Sequence, residues 1–247
     1  MRLFRSFLTL FCFSLFGVGG LIIGTILFPI LILFLRTPQK RLILCNIIHY
    51  AWIFFVKVMI FLRLIDVQIV GQKNLKNLKG HIIISNHPTL LDIVLLISII
   101  PNTSCIVKGS LLKNFFIRHI IQRIYLVNSS DPTDFLEKGK ELLSQGLNLV
   151  IFPEGTRTDN NQYKKIHRGF AQLALRSRKP LLPVQIKCTP LILGKKQKWY
   201  DVGVKTVLYH IHFLPVISAP FSTEPNLHYQ AKKLSELVYS ELFKRID

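Results

Sequence analysis

Apolar positions are unevenly spread along this chain, and their spacing changes near Asp66. From Phe7 to Leu35 no side chain is charged, a run of 29 residues with Arg2 and Arg5 before it and Arg36 after it. As one helix the run would reach roughly 43 Å, beyond the roughly 30 Å hydrocarbon core of a bilayer. It is also about twice as long as the apolar core of a secretory signal peptide. Two geometries fit. One is a single tilted spanning helix. The other bends at Gly17, Gly19, Gly20 and Gly24, breaks again at Pro29, and leaves by the face it entered. Basic residues on both flanks give no vote on orientation. The next segment, Ile47 to Ile65, is charged only at Lys57 and Arg63. It reads equally well as an interfacial helix with a snorkelling lysine or as a surface helix of a globular domain.

Beyond Asp66, short β-branched runs alternate with longer helical ones. Strands are expected at Val67–Val70, Ile82–Ser85, Ser104–Val107, Leu147–Phe152, Leu181–Lys187 and Thr206–Phe213, with Ile124–Val127 a short apolar run. Helices are expected from Thr89 toward Ile99, over Leu111–Ile121, from Pro132 to about Gln145 with Gly146 as the stop, over Gly169–Arg178, and over Asn226–Phe243. Pro132 suits a first helical turn and Gly146 a C-terminal stop. The alternation predicts an α/β fold with a mixed or mostly parallel sheet flanked by helices, carrying an N-terminal membrane-associated helical segment. The boundary divides the chain into residues 1–65, the anchor and interfacial helices, and residues 66–247, the α/β domain. There is no glycine-rich dinucleotide fingerprint, P-loop or internal repeat.

Half of the residues are hydrophobic, and 32 basic against 13 acidic side chains give a net charge of +19. Such a charge suits nucleic acid, anionic lipid or phosphorylated small molecules. No nucleic-acid-binding pattern accompanies it, so an anionic membrane surface is the simpler partner. Cys12, Cys45, Cys105 and Cys188 lack pairing or metal-ligand spacing and read as small hydrophobes in a reducing compartment.

Two segments carry chemistry. In Ile84-Ser85-Asn86-His87-Pro88-Thr89-Leu90-Leu91-Asp92, a histidine follows a strand and an aspartate comes five residues later. Pro88 biases His87 away from helical geometry. Thr89 can cap the following helix with Asp92 at its third position, as in a capping box. Asp92 could then hold one ring nitrogen of His87 while the other accepts a proton. The same residues also suit a simple capped helix. In Phe152-Pro153-Glu154-Gly155-Thr156-Arg157, a rigid loop follows the strongest buried-strand signal. Arg157 could offer paired donors to a phosphate there, or join Asp159 in a turn.

Together the two blocks resemble the glycerolipid (lysophosphatidic acid type) acyltransferases, whose signature is a histidine, four residues and an aspartate, then Phe-Pro-Glu-Gly-Thr-Arg. The similarity covers roughly residues 65 to 215 and includes Leu182-Pro183-Val184. The resemblance implies that His87 deprotonates a hydroxyl, Asp92 orients the imidazole, and Glu154, Gly155, Thr156 and Arg157 bind the acceptor's glycerol-phosphate part. Amides just after Thr89 would be candidates for the oxyanion donors. It further implies an acyl-CoA or acyl-carrier-protein co-substrate, a membrane lipid acceptor, no metal or other cofactor, and an inner-membrane location with the catalytic domain on the cytoplasmic side. The chain departs from the family where an arginine commonly helps to hold the acceptor phosphate. Asn128 or Ser129 stands there. Lys108, Arg123, Lys164, Lys165 or Arg168 could substitute, or the acceptor could be another hydroxylated lipid or a carrier-bound acyl compound. Features from Arg168 to Tyr200 also resemble a bacterial branch linked to unusual acylated lipids. The charge and the apolar segments leave a third reading, a non-enzymatic basic protein of the membrane surface.

Overall fold

In a computed structural model, which describes residues 2–35, 40–128, 131–158, 166–195, 197–198, 203–218 and 226–243, a seven-stranded sheet is flanked by helices. Its strands are β1 (Ile65–Val70), β2 (Ile82–Ser85), β3 (Thr103–Lys108), β4 (Leu126–Asn128), β5 (Asn148–Ile151), β6 (Leu181–Thr189) and β7 (Val207–Phe213), in the order β1-β7-β6-β2-β5-β3-β4. The β6–β7 contact is antiparallel and every other pairing is parallel, so the sheet is mixed, as the alternation of elements predicts. β2 and β5 lie mid-sheet with all four residues of each buried. That explains their continuous apolar runs, because a strand covered on both faces has no polar face to show.

Side chains alternate between two cores. Ile82, Ile84, Leu149 and Ile151 face α6 (Pro132–Ser144), α7 (Gly169–Ser177) and α8 (Leu227–Phe243). Ile83, Val150, Leu182 and Val184 face the residues of α3 (Lys40–Phe61) and α4 (Asp92–Ile99). α6 starts as its sequence suggests. Asp131 accepts the Thr133 amide at 2.8 Å, Pro132 opens the first turn, and Gly146, at φ +87°, follows the last.

Three expectations change. The predicted Leu111–Ile121 helix is a 3₁₀ turn, Gly109–Lys113, followed by α5 (Arg118–Ile124). The Asn114 side chain accepts the Phe116 amide at 3.0 Å, and this local bond competes with a continuous helix. α4 starts at Asp92, not at Thr89, because the segment before it turns to serve the Asp92 carboxylate. α3 starts at Lys40, before Ile47, and buries Leu44, Cys45, Ile48, Phe55 and Met59 while exposing Tyr50, Phe54 and Phe61. It therefore combines the two alternatives, being core on one side and an apolar surface on the other.

The long apolar run does not fold back. α1 (Arg2–Ile22) passes through a π-helical turn, Ile23–Leu27, into α2 (Phe28–Phe34) without leaving helical geometry. The wider turn, closed by the Phe28 amide on the Ile23 carbonyl, accommodates Pro29 just beyond it. Leu3–Phe34 and Lys40–Phe61 are both long and apolar enough to cross a membrane. The first is nevertheless held against the domain over most of its length. Arg5 donates to the carbonyls of Arg63, Leu64, Gly203 and Lys205 at 2.9–3.4 Å, Phe16 stacks on Trp52 at 5.5 Å, and Phe28 is fully buried.

Glycines permit the middle of that contact. A Cβ on Gly20 would stand 3.3 Å from the Phe116 carbonyl oxygen and from Ile117, whereas one on Gly19 would meet nothing within 4 Å. Gly20→Leu is therefore expected to lower stability by about 1–3 kcal/mol through overpacking, read as a lower unfolding temperature in detergent. Gly19→Leu is the matched control and should leave it unchanged.

Candidate active site

Parallel pairing aligns Ile82, Ile83 and Ile84 with Leu149, Val150 and Ile151, so β2 and β5 end side by side. The segments that follow them leave the sheet at one edge, where ligands gather in open α/β sheets. Beyond the strands the contact continues. The His87 amide donates to Thr158 Oγ1 at 3.0 Å, and the Thr158 amide donates to the His87 carbonyl at 2.6 Å. On its other side the loop is held by Asn86, whose side chain donates to the Ile186 carbonyl at 2.8 Å and accepts the Ile186 amide at 2.7 Å.

His87 Nδ1 lies 2.8 Å from Asp92 Oδ2. The carboxylate also accepts the Thr89 amide at 2.7 Å and the Thr89 hydroxyl at 2.6 Å, so its neighbours are donors and Nδ1 is assigned the proton. Half of the predicted capping box is present, since Asp92 reaches back to the Thr89 amide. The other half is replaced: Thr89 Oγ1 accepts the Leu91 amide at 3.2 Å, and Leu91 stands at the helix N-cap. Asp92 is fully buried. Burial pushes its carboxyl above the usual range, while the His87 and Thr89 hydrogen bonds pull it back. The His87 ring keeps 18% exposure and stacks on Phe152 at 4.0 Å with 15° between planes. Nε2 is thus left for an exchangeable proton on a substrate.

The second block is partly a brace. Glu154 is buried, and its Oε1 accepts the Thr158 hydroxyl at 2.6 Å and the His87 amide at 3.3 Å. Its placement ties the two blocks together. Gly155 takes φ +63° with His167 against it, and Thr156 and Arg157 line the cavity beside it. Arg157 Nη1 donates to the Leu193 and Gly194 carbonyls at 2.8 and 2.9 Å, which fixes the guanidinium over the loop after β6. Asp159 lies outside the described residues. The expected oxyanion donors fare differently. The Thr89, Leu90 and Leu91 amides are committed to Asp92, the Leu193 carbonyl and Thr89 Oγ1 respectively.

A cavity of about 1880 Å³ runs from this edge to the apolar helices, touching His87 and Arg157 at one end and Phe13, Gly17, Trp52 and Phe55 at the other. Lys108 and Arg168 line it, and so does the neutral Asn128. Arg123 instead donates to the His119 carbonyl at 2.9 Å within its own helix. Lys164, Lys165 and Ser129 lie outside the described residues. Among the described residues no three His, Cys, Asp or Glu side chains converge to hold a metal ion.

Residues 66–187 match the Acyltransferase family model. That stretch, from β1 into β6, is what resembles the acyltransferase family. The chain is 30% identical over 155 residues to the 1-acyl-sn-glycerol-3-phosphate acyltransferase of Cocos nucifera, covering 60% of this chain and 49% of that protein. It is 25% identical over 253 residues to the Limnanthes alba protein of the same name, covering 98% and 84%. The chain therefore spans about half the length of the Cocos nucifera relative. The crystal structure of the 1-acyl-sn-glycerophosphate (LPA) acyltransferase PlsC from Thermotoga maritima matches with a TM-score of 0.68 over 99% of this chain and 100% of that one. At 21% identity that likeness is one of fold.

Several neighbours of His87 and Asp92 carry no sequence signal of their own. Tyr209 of β7 places its hydroxyl 3.0 Å from Thr89 Oγ1, yet in sequence it is one inward position of an alternating strand. Phe152 reads as the end of a buried strand, not as a platform for His87. Asn86 was visible beside His87, but its partner lies 100 residues away. Asn86→Ala would leave the buried Ile186 amide and carbonyl unpaired, and is expected to cost about 1–3 kcal/mol in denaturant unfolding.

Proposed function

We propose that this chain transfers a fatty-acyl group from an acyl thioester, carried by CoA or acyl-carrier protein, to the hydroxyl of a lysophosphatidic-acid-like acceptor. The observation that carries this reading is the His87 Nδ1–Asp92 Oδ2 bond of 2.8 Å, at the mouth of an apolar cavity that also touches Arg157. The related 1-acyl-sn-glycerol-3-phosphate acyltransferases support the reaction class.

In this mechanism His87 Nε2 takes the hydroxyl proton as the oxygen attacks the thioester carbonyl carbon. Asp92 holds the tautomer and stabilises the imidazolium. The tetrahedral intermediate collapses, the carbon–sulfur bond breaks, and the imidazolium returns its proton to the departing thiolate. The ester and free thiol balance the reaction. Arg157, with Nη1 fixed to the Leu193 and Gly194 carbonyls, presents its remaining donors to the acceptor's phosphate, beside Gly155 and Thr156. Glu154 serves this site by joining the Thr158 hydroxyl to the His87 amide. Lys108 and Arg168 are the described auxiliary cations on the cavity wall. The apolar end of the cavity accommodates an acyl chain. The exposed side of α1 and α2, with Phe7, Phe11, Ile22 and Leu33, rests on the inner membrane, and the domain faces the cytoplasm.

Asn128 favours a second acceptor class. A neutral side chain on the cavity wall gives a phosphate no charge-assisted contact, so a hydroxylated lipid without phosphate is the competing acceptor.

Product analysis on membranes with defined acceptors tests both. Acylated lysophosphatidate formed faster than any phosphate-free product supports the first reading, and the reverse order supports the second. His87→Ala is expected to lower acyl transfer roughly a hundred- to ten-thousand-fold with protein level and membrane attachment unchanged, and substantial residual activity would sink the enzymatic reading. Thr89→Val removes a hydroxyl that stabilises the Asp92 carboxylate. The Asp92 carboxyl, already raised by burial, then rises further, so the acid limb of the pH–rate profile should move to higher pH.

A further inference from the structure

The loop between β3 and α5 has an outer surface that the reaction leaves unused. Leu111, Phe115 and Phe116 are 39%, 55% and 47% exposed. Their exposure is built in. The Asn114 amide donates to the Leu111 carbonyl, and the Asn114 side chain and carbonyl accept the Phe116 and Arg118 amides, all at 3.0 Å. The Phe115 and Phe116 rings meet edge-on at 5.9 Å, and the Arg118 guanidinium lies 5.3 Å from the centroid of Phe115. Lys108, Lys113 and Arg118 are exposed around these rings. An aromatic crest with a basic collar is the chemistry of a membrane interface, where rings enter the headgroup layer and cations stay with anionic lipid.

Two further observations narrow the partner. Over residues 1–130 the only carboxylate side chains are Asp66 and Asp92, and Asp92 is buried. No acidic side chain occurs between Ile93 and Ser130, so the collar is uniformly positive for an anionic surface. The loop is also continuous with the apolar helix. The Phe116 ring packs where a Gly17 Cβ would stand 3.7 Å away, and beside it α1 exposes Phe11, Val18 and Ile22. Leu111, Asn114 and Phe116 line the cavity that reaches His87.

We propose that the Leu111–Arg118 loop is a second membrane contact, a wedge whose Phe115 and Phe116 enter the interface of an anionic bilayer beside α1. It rests on the membrane reading above and adds to it a place and a lipid chemistry. Inserted there, the wedge sets the mouth of the cavity at the level where a lysolipid or an acyl chain leaves the bilayer.

Phe115→Trp is a conservative reporter, read against the parent protein's own two tryptophans. Full-length protein is added to phosphatidylcholine vesicles with or without phosphatidylglycerol, with bromines on the acyl chains near the glycerol level. The added emission should shift to the blue and lose most of its intensity to the bromines, more so with phosphatidylglycerol. Lys113→Gln with Arg118→Gln should remove the phosphatidylglycerol preference without affecting insertion into neutral vesicles. Emission that stays unquenched while the protein floats with vesicles overturns the wedge and leaves the membrane reading standing. Failure to float overturns both. Equal quenching in the two vesicle types overturns the assignment to anionic lipid. Shielding from acrylamide without vesicles assigns the loop to a protein partner or a second copy, and overturns the proposal.

Discussion

The parallel pairing of β2 with β5 is the constraint on which the rest of the site depends. Three aligned residue pairs bring together segments that lie 67 residues apart in the chain. Both strands are buried, so a one-residue slip would exchange the side chains entering the two cores, and burial itself resists it. With the strand ends level, His87 and Thr158 bond each other's backbone, and Glu154 closes the gap. The site is thus an extension of the sheet, with its loops held by hydrogen bonds that continue the strand contact.

The buried Asp92 carboxylate then imposes its own order on the local chain. A carboxylate without solvent needs donors, and two come from Thr89 and one from His87. Meeting that need turns residues 89–91 out of the helix and consumes the amides that a helix start would otherwise present. The same network reaches Tyr209 on β7, so strands from opposite directions in the sheet support one imidazole. Asn86 adds a brace to β6. His87 is oriented from three sides, and only its outer nitrogen faces the cavity.

The apolar front of the chain is governed by a different balance. Its length and lack of charge suit a bilayer, but glycines at 17, 20 and 24 remove side chains where the helix meets residues 116–120. Arg5 and Phe28 hold its two ends. The contact with the domain and the exposed apolar side chains therefore occupy different sides of one helix.

The sequence alone determined the α/β class, most strand positions, the start of α6 and the joint presence of the His87–Asp92 and Phe152–Arg157 blocks. These rest on local rules: side-chain alternation, capping chemistry and short motifs are all written within a few residues. It left open whether the long apolar run bends, because glycine and proline permit a turn without requiring one; tertiary packing kept it helical. It also misplaced the start of α4 and the break at Asn114, where a side-chain hydrogen bond outcompeted helix propensity. Only the folded structure decided that Glu154 braces His87, that Arg157 is held by the loop after β6, and that Tyr209 bonds the Thr89 hydroxyl that serves Asp92. Each of these depends on a partner far away in sequence. Pairing between distant strands is a property of the whole sheet, and no local pattern near His87 encodes it.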